Sequence, residues 1–188
     1  MKKYSGFTLI ELMITLFIIG ILLMVGLPSM KSFMQSNQLV AATNDLLSAV
    51  HVARAEAIKI NGKVTVCESS NGTSCSTTGN WEGGWIVFID TNGDGIGTGA
   101  VCSAANTDCL LRVHDGFTDP SLTIAGLDAD NQAIEIFTFT SRGLPKNNDG
   151  SPQSGTFSVC SGNGDRAVIL SLSGRVRISD NAAVITCP

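Results

Sequence analysis

One apolar run leaves this chain little freedom in how its N-terminal region can fold. Phe7 to Leu27 is a stretch of 21 residues, preceded by Met1-Lys2-Lys3-Tyr4-Ser5-Gly6 and followed by Pro28. A helix needs about 20 residues to cross a bilayer, so the run is long enough. It contains a single charged residue, Glu11. A carboxylate near the end of a membrane helix is costly and calls for a partner. The natural partner is an amine released by cleavage after Gly6. A secretory signal would instead carry its small-residue cut after the apolar core, and no A-x-A-like site follows Leu27. An ordinary N-terminal membrane anchor is the plain alternative.

The segment Gly6-Phe7-Thr8-Leu9-Ile10-Glu11, with Pro28 near the end of the run, resembles the N-terminus of the type IV pilin superfamily. The resemblance implies that a membrane prepilin peptidase cuts between Gly6 and Phe7. It implies that Phe7 becomes an N-methylated N-terminus and that Glu11 serves filament assembly. The chain then divides into a leader, 1–6, a transmembrane and filament-core half-helix, 7–27, and an amphipathic half-helix with a β-rich periplasmic head, 28–188. The implied protein sits in the bacterial inner membrane as a single-pass subunit, then in a pilus at the cell surface. Its implied partners are other major and minor pilins, met through the N-terminal helix.

Charge and cysteine narrow the setting. Loss of the leader leaves ten basic against sixteen acidic side chains. A chain that acidic is not a general polyanion binder, although a local basic patch is compatible with it, because salt screens charge over about 8 Å. The charge is also uneven. Nine acids and one base, Arg112, lie between Glu82 and Glu135, whereas Arg142, Lys146, Arg166, Arg175 and Arg177 face only Asp149 and Asp165 in the later segment. That asymmetry hints at an anionic partner. The six cysteines, Cys67, Cys75, Cys102, Cys109, Cys160 and Cys187, all follow the apolar run. The expected pairs are Cys67–Cys75 and Cys102–Cys109, closing loops rich in Gly, Ser, Thr and Asn, and Cys160–Cys187. Disulfides need an oxidising compartment, the periplasm or cell surface. Zinc is the rival use of cysteine, but no C-x-x-C pair or neighbouring His supports it.

After Pro28, Leu39, Leu46, Leu47, Val50, Ala53, Ala57 and Ile58 recur at near-helical spacing with polar residues between them. Asn61-Gly62 is a stop signal. One helix over 7–60 would run roughly 80 Å, at about 1.5 Å per residue. Gly26 and Pro28 are expected to bend or loosen it. Beyond Gly62 the pattern becomes short β-rich runs bounded by Gly, Asn, Asp and Pro. Strands are expected over Val64–Cys67, Trp85–Asp90, Leu110–Val113, Leu122–Ile124, Ala133–Thr140, Thr156–Val159, Ala167–Ser171 and Arg175–Ser179. Asn147–Gly155 reads as an exposed loop. The expected fold is α+β and pilin-like: one long N-terminal helix, then an antiparallel β-sheet head.

Trp81-Glu82-Gly83-Gly84-Trp85-Ile86-Val87-Phe88-Ile89-Asp90-Thr91-Asn92-Gly93-Asp94-Gly95 is similar to the Trp-rich strand and Asp/Asn/Gly turn of the GspH/FimT/FimU group of minor pilins and pseudopilins. Asp90-x-Asn92-x-Asp94-Gly95 also imitates the start of a calcium loop. The twelfth position of such a loop would be Val101, not Glu. A plain turn uses the same residues for backbone reasons and is the preferred reading. Gly162-x-Gly164-x-x-Ala167 matches a dinucleotide fingerprint only on paper, because it precedes a strand rather than a helix. With His51 and His114 the only histidines, and no G-x-S-x-G elbow, a hydrolytic triad lacks support. The chain reads as non-enzymatic, without metal or cofactor.

The last motif is Ser173-Gly174-Arg175-Val176-Arg177. Ser173-Gly174 can make a tight hairpin. On the returning strand Arg175 and Arg177 point to one face, about 6.6 Å apart, while Val176 and Ile178 face the core. Two guanidiniums on one face suit phosphate oxygens. Gly174-Arg175-x-Arg177 resembles the C-terminal G-R-x-R motif of FimT-type minor pilins, which bind DNA in natural transformation. The resemblance implies DNA contacts at Arg175 and Arg177, with Arg166, Arg142 and Lys146 as helpers. An ordinary solvated strand is the bland reading. A FimU-like structural minor pilin that primes assembly, and a GspH-like pseudopilin of type II secretion, remain open.

Overall fold

A long helix and nine short strands make up the computed structural model, which describes residues 6–97, 102, 108–181 and 185–187; for Val25, Leu27 and Pro28 it describes the backbone alone. Val101 and residues 1–5 of the expected leader lie outside that set. Helix α1 spans Leu9–Lys59. It opens on a reciprocal cap: the Glu11 N–H donates to Thr8 Oγ1, and the Thr8 N–H donates to Glu11 Oε2. Each group satisfies an N-terminal orphan of the helix. Gly26 and Pro28 lie inside α1 without ending it. Asn61, with φ of 50°, and Gly62 follow the C-terminal end.

The two halves of α1 meet different surroundings. Phe7, Leu9, Phe17, Met24 and Phe33 are exposed, whereas Leu39, Leu46, Val50, Ala53 and Ala57 are buried. The amphipathic stripe therefore docks on the head, except Ile58, which remains outside. The first half is long and apolar enough to cross a membrane and buries nothing against the head.

The strands are β1 (Val64–Glu68), β2 (Gly84–Asp90), β3 (Asp108–Asp115), β4 (Thr123–Asp128), β5 (Ile136–Phe139), β6 (Pro145–Lys146), β7 (Gly155–Ser161), β8 (Gly164–Leu170) and β9 (Val176–Ser179). They form two antiparallel sheets, ordered β3-β2-β1-β5-β6 and β4-β7-β8-β9. Their inner faces and the head half of α1 enclose one core, with Val64, Val66, Phe137 and Phe139 from the first sheet and Phe157, Val159, Val168 and Leu170 from the second. Trp81, in a short helical turn over Trp81–Gly83, sits between the sheets, 5.0 Å edge-on from Phe157 and 6.1 Å from Phe137. Its indole N–H donates to the Ile134 carbonyl at 2.6 Å.

Several expected boundaries move. The strand expected over Ala133–Thr140 shortens to β5, because Ile134 turns its N–H to the Gly126 carbonyl instead. Arg175 falls just before β9, where it closes a turn with Ser171. The expected loop 147–155 is not wholly exposed: Gln153 is buried, Pro152 bridges to Lys146, and Gly155 opens β7.

The cysteines form three bridges, Cys67–Cys75, Cys102–Cys109 and Cys160–Cys187. The first two staple loops beside the first sheet, and the third ties the C-terminal segment to β7.

Candidate phosphate-binding site

Strand pairing decides which basic side chains share a surface. In the β8–β9 ladder Val168 faces Ile178, Ile169 faces Arg177 and Leu170 faces Val176. Val168 and Leu170 belong to the core, and Val176 packs against it. Directly paired residues share a face and neighbours alternate, so Arg177 and Ile169 point outward. Arg175, two residues before Arg177, does the same. Leu172, Ser173 and Gly174 form the intervening loop, closed by the Gly174 N–H donating to the Ser171 carbonyl. Gly174 has a φ of 74°, and a Cβ there would lie 2.0 Å from the Gly143 carbonyl oxygen. Only glycine meets both demands.

Arg175 and Arg177 are exposed and line one groove of about 330 Å³ with Ile169, Ser171 and Ser173. A second groove continues from Ile169 over Thr156 and Ser158. The ion pairs among the described residues, Lys59–Glu56, His114–Asp45 and Arg166–Asp180, involve neither guanidinium. Ser171 and Ser173 line the groove beside the two arginines together with Ile169, and the continuing groove adds Thr156, Ser158 and one acidic residue, Asp128.

The three proposed helpers are not equivalent. Arg142 is exposed on the turn over 140–144, where the carbonyl of the next residue, Gly143, lies against Gly174, the residue before Arg175. Arg166 pairs with Val159 across the β7–β8 ladder and therefore shares the inner-face parity of Val168. Its Nε lies 3.3 Å from Asp180 Oδ1. Its assignment as a helper of Arg175 and Arg177 is thus corrected by one residue of register. Lys146 lies on the first sheet, and its Nζ donates to the Gly150 carbonyl at 2.8 Å.

One basic residue had no motif to reveal it. Arg54 leaves α1 between buried Ala53 and Ala57 and reaches the Gly143 and Ser173 carbonyls, at 3.1 and 3.4 Å. Its only sequence signal was a charge interrupting a small-residue stripe.

The remaining candidates resolve into structural roles. Asp90 is buried, and its carboxylate accepts from Thr65 Oγ1, the Gly93 N–H and the Gly95 N–H. These bonds close the turn over 90–95 that the backbone reading expects. Gly162 and Asn163 make the β7–β8 turn, closed by the Ser161–Gly164 pair. His51 is exposed on α1. His114 stacks on Trp85 with ring centroids 3.9 Å apart, and its Nε2 lies 3.4 Å from Asp45 Oδ2, linking β3 to α1. Cys160 and Cys187 lie beside Asp165, but their sulfurs are joined to each other and offer no thiolate to a metal.

An exposed apolar half-helix that continues into a two-sheet antiparallel head defines the type IV pilin-like class. Within that class the chain belongs to the family described as type II transport protein GspH, whose profile matches residues 42–174. The prokaryotic N-terminal methylation motif matches residues 1–27. The chain is 30% identical over 180 residues to the pilin-like protein PilA1 of Thermus thermophilus, covering 92% of this chain and 97% of that one. The fold is similar to the crystal structure of the type IV minor pilin FimU of Pseudomonas aeruginosa, with a TM-score of 0.50 and 24% identity over 78% of this chain and 92% of that one. The chain is thus a pilin-like member of the GspH family that carries the N-terminal methylation motif. Its family and fold are those of structural, non-enzymatic proteins. The apolar helix and methylation motif are consistent with membrane anchoring and pilus assembly.

Proposed function

We propose that this protein is a FimT-like minor pilin of a type IV pilus that binds extracellular DNA during natural transformation. The observation that carries the reading is the pair Arg175 and Arg177, exposed in one groove on the outer face of the second sheet. Arg142 on the adjoining turn is a third contact, and Lys146 adds positive potential farther off. Binding is to phosphates rather than bases. The head's Trp81, Trp85, Phe88, Phe137, Phe139 and Phe157 are buried and Phe117 packs against the core, so none is free to stack a base. Without a helix or ribbon in a groove, base edges go unread.

The same reading takes 1–6 as a leader cut after Gly6 and Phe7 as the methylated N-terminus. Residues 7–27 serve as the inner-membrane and filament-core segment, with 28–188 in the periplasm until assembly. Glu11, held by its own cap in the isolated chain, exchanges that cap for the terminal amine of a neighbouring subunit. Glu11→Val is expected to leave processing intact and reduce filament incorporation; normal incorporation would remove Glu11 from that role.

The DNA test is a titration of the full-length protein in neutral detergent against duplex DNA at two salt concentrations. Weak binding, about 10⁻⁴ to 10⁻⁶ M and salt-sensitive, is expected. Arg175→Gln with Arg177→Gln should nearly abolish it and lower the salt slope by about 0.9 per lost contact. Unchanged affinity in the double variant would exclude these residues, and absent binding by the native protein at low salt would exclude the DNA reading. The acidic balance of the chain favours a second reading, a FimU-like structural minor pilin or GspH-like pseudopilin whose groove meets another subunit. Under it, the double variant would lose assembly while the native protein bound no DNA.

A further inference from the structure

Arg54 occupies a slot between two turns that belong to different sheets. Its Nε–H donates to Gly143, in the turn between β5 and β6, and an Nη2–H donates to Ser173, in the turn between β8 and β9. The flanking glycines leave room for the guanidinium alone. A Cβ on Gly143 would come within 2.9 Å of Arg54 Nε, and one on Gly174 within 3.1 Å of the same atom. Both glycines hold positive φ, 70° and 74°. Among the described residues no strand pairing joins the two sheets. Each turn carries one exposed arginine beside its glycine, Arg142 in the first and Arg175 in the second. The contact among Arg54, Gly143 and Gly174 thus links the turn that carries Arg142 to the turn that carries Arg175.

We propose that Arg54 is a positioning residue for the phosphate-binding surface, locking the two turns so that Arg142, Arg175 and Arg177 act as one rigid cluster. The inference rests on the phosphate-binding reading above. Its physical basis is preorganisation: a cluster already ordered before binding loses less conformational freedom on meeting an extended anion. A planar guanidinium can hold two carbonyls at once, whereas an ammonium on a flexible stem is a point charge without that fork. Arg54 also adds a fourth positive charge, raising the local potential that draws a polyanion in.

The test is a cycle on the full-length protein in neutral detergent, with Arg54→Lys, Arg142→Gln and the double variant titrated against duplex DNA across a salt series. Arg54→Lys keeps the charge, so its affinity should fall only through lost ordering, by roughly two- to tenfold. In the native background Arg142→Gln should lower the salt slope by about 0.9. In the Arg54→Lys background it should lower it little, because Arg142 no longer shares the surface. Thermal unfolding of each variant runs in parallel, and Arg54→Gln serves if the lysine variant does not fold. A purely structural Arg54 would lower the melting temperature while leaving affinity and the Arg142 effect unchanged in folded protein, and that result would overturn the proposal. A native protein that binds no DNA would overturn the phosphate-binding reading itself, a distinct outcome visible in the first titration.

Discussion

The two sheets share one core but treat their outer faces in opposite ways. On the first sheet, Cys67, Ile86 and Phe88 form a second buried cluster, joined by Cys75, Leu110 and Ile136. Two polar loops cover it. The loop over 69–79 is pinned by Cys67–Cys75 and by the buried Glu68 carboxylate, which accepts from Ser76 Oγ and from the Thr78 and Gly79 N–H groups. The loop over 91–97 is folded around Asp90 and brings Gly95 and Gly97 against Ile136 and Ile86. On the second sheet the corresponding face presents Thr156, Ser158, Ile169, Arg175 and Arg177 to grooves, crossed among the described residues by the tail at Thr186, whose N–H donates to Ser158 Oγ. Loops of Ser, Thr, Gly and Asn bury little apolar surface, so they need covalent and ionic pins to stay down. The face left bare is the one furnished with hydroxyls and guanidiniums, which water already satisfies.

Removing what the sheets share should erase the difference. Trp81→Ala takes out the side chain wedged between them and leaves the Ile134 carbonyl without its donor. A loss of about 3–5 kcal/mol is expected, measured by urea unfolding, with both sheets loosening together in hydrogen exchange. Faster exchange in only one sheet would mean that the sheets have separate cores.

Breaking the pin acts on one side alone. Cys67→Ser with Cys75→Ser should cost about 2–4 kcal/mol in the loop-closure account. The amides of 69–79 should exchange faster while those of β8 and β9 stay protected. Equal loosening of both sheets would show that the loop supports the core rather than covering it.

The helix, the antiparallel head and most strands were legible because each rests on local periodicity. The split into two sheets was not, since pairing partners are set by packing at a distance. That is why Arg166 reads as a neighbour of Arg175 and Arg177 in sequence yet faces the other way. Register within one hairpin was readable: Val176 and Ile178 alternate with the two arginines. Register across β7–β8, which fixes Arg166, depends on the turn at Gly162–Asn163. Strand β6, only Pro145–Lys146, is too short to leave a pattern. The short helical turn over Trp81–Gly83 leaves no periodic pattern, because burial of its aromatic is set by tertiary packing. Arg54 escaped notice because its partners are backbone carbonyls, which no sequence displays.

Altering the bare face should leave stability almost untouched. Arg175→Gln with Arg177→Gln removes exposed side chains without ion-pair partners among the described residues, so unfolding free energy should change by about 0.5 kcal/mol or less. A larger loss would mean that the arginines hold the β8–β9 hairpin to its neighbours, and the contrast between the two faces would narrow.

The smallest effect tests a device that both sheets use alike. Asp119, before β4, and Asp149, after β6, each accept from a serine two residues on, Ser121 and Ser151, through its hydroxyl and its backbone N–H. The serine hydroxyl bond, then the backbone bond, holds each carboxyl below the ordinary value of 3.8. Hydrogen bonds to the ionised form favour it. A carboxyl lowered in the folded state stabilises the fold fully above its unfolded value, and that contribution disappears as pH falls below 3.8 through the folded value. Both groups are open to solvent, so the effect is local and screened. Carboxyl NMR titration should therefore place both midpoints under 3.8, and Ser121→Ala and Ser151→Ala should each return only their own aspartate toward it. A midpoint at or above 3.8 in the native protein would show that the turn is not closed in solution. Parallel behaviour of the two would confine the difference between the sheets to their faces, leaving the turns that feed them equivalent.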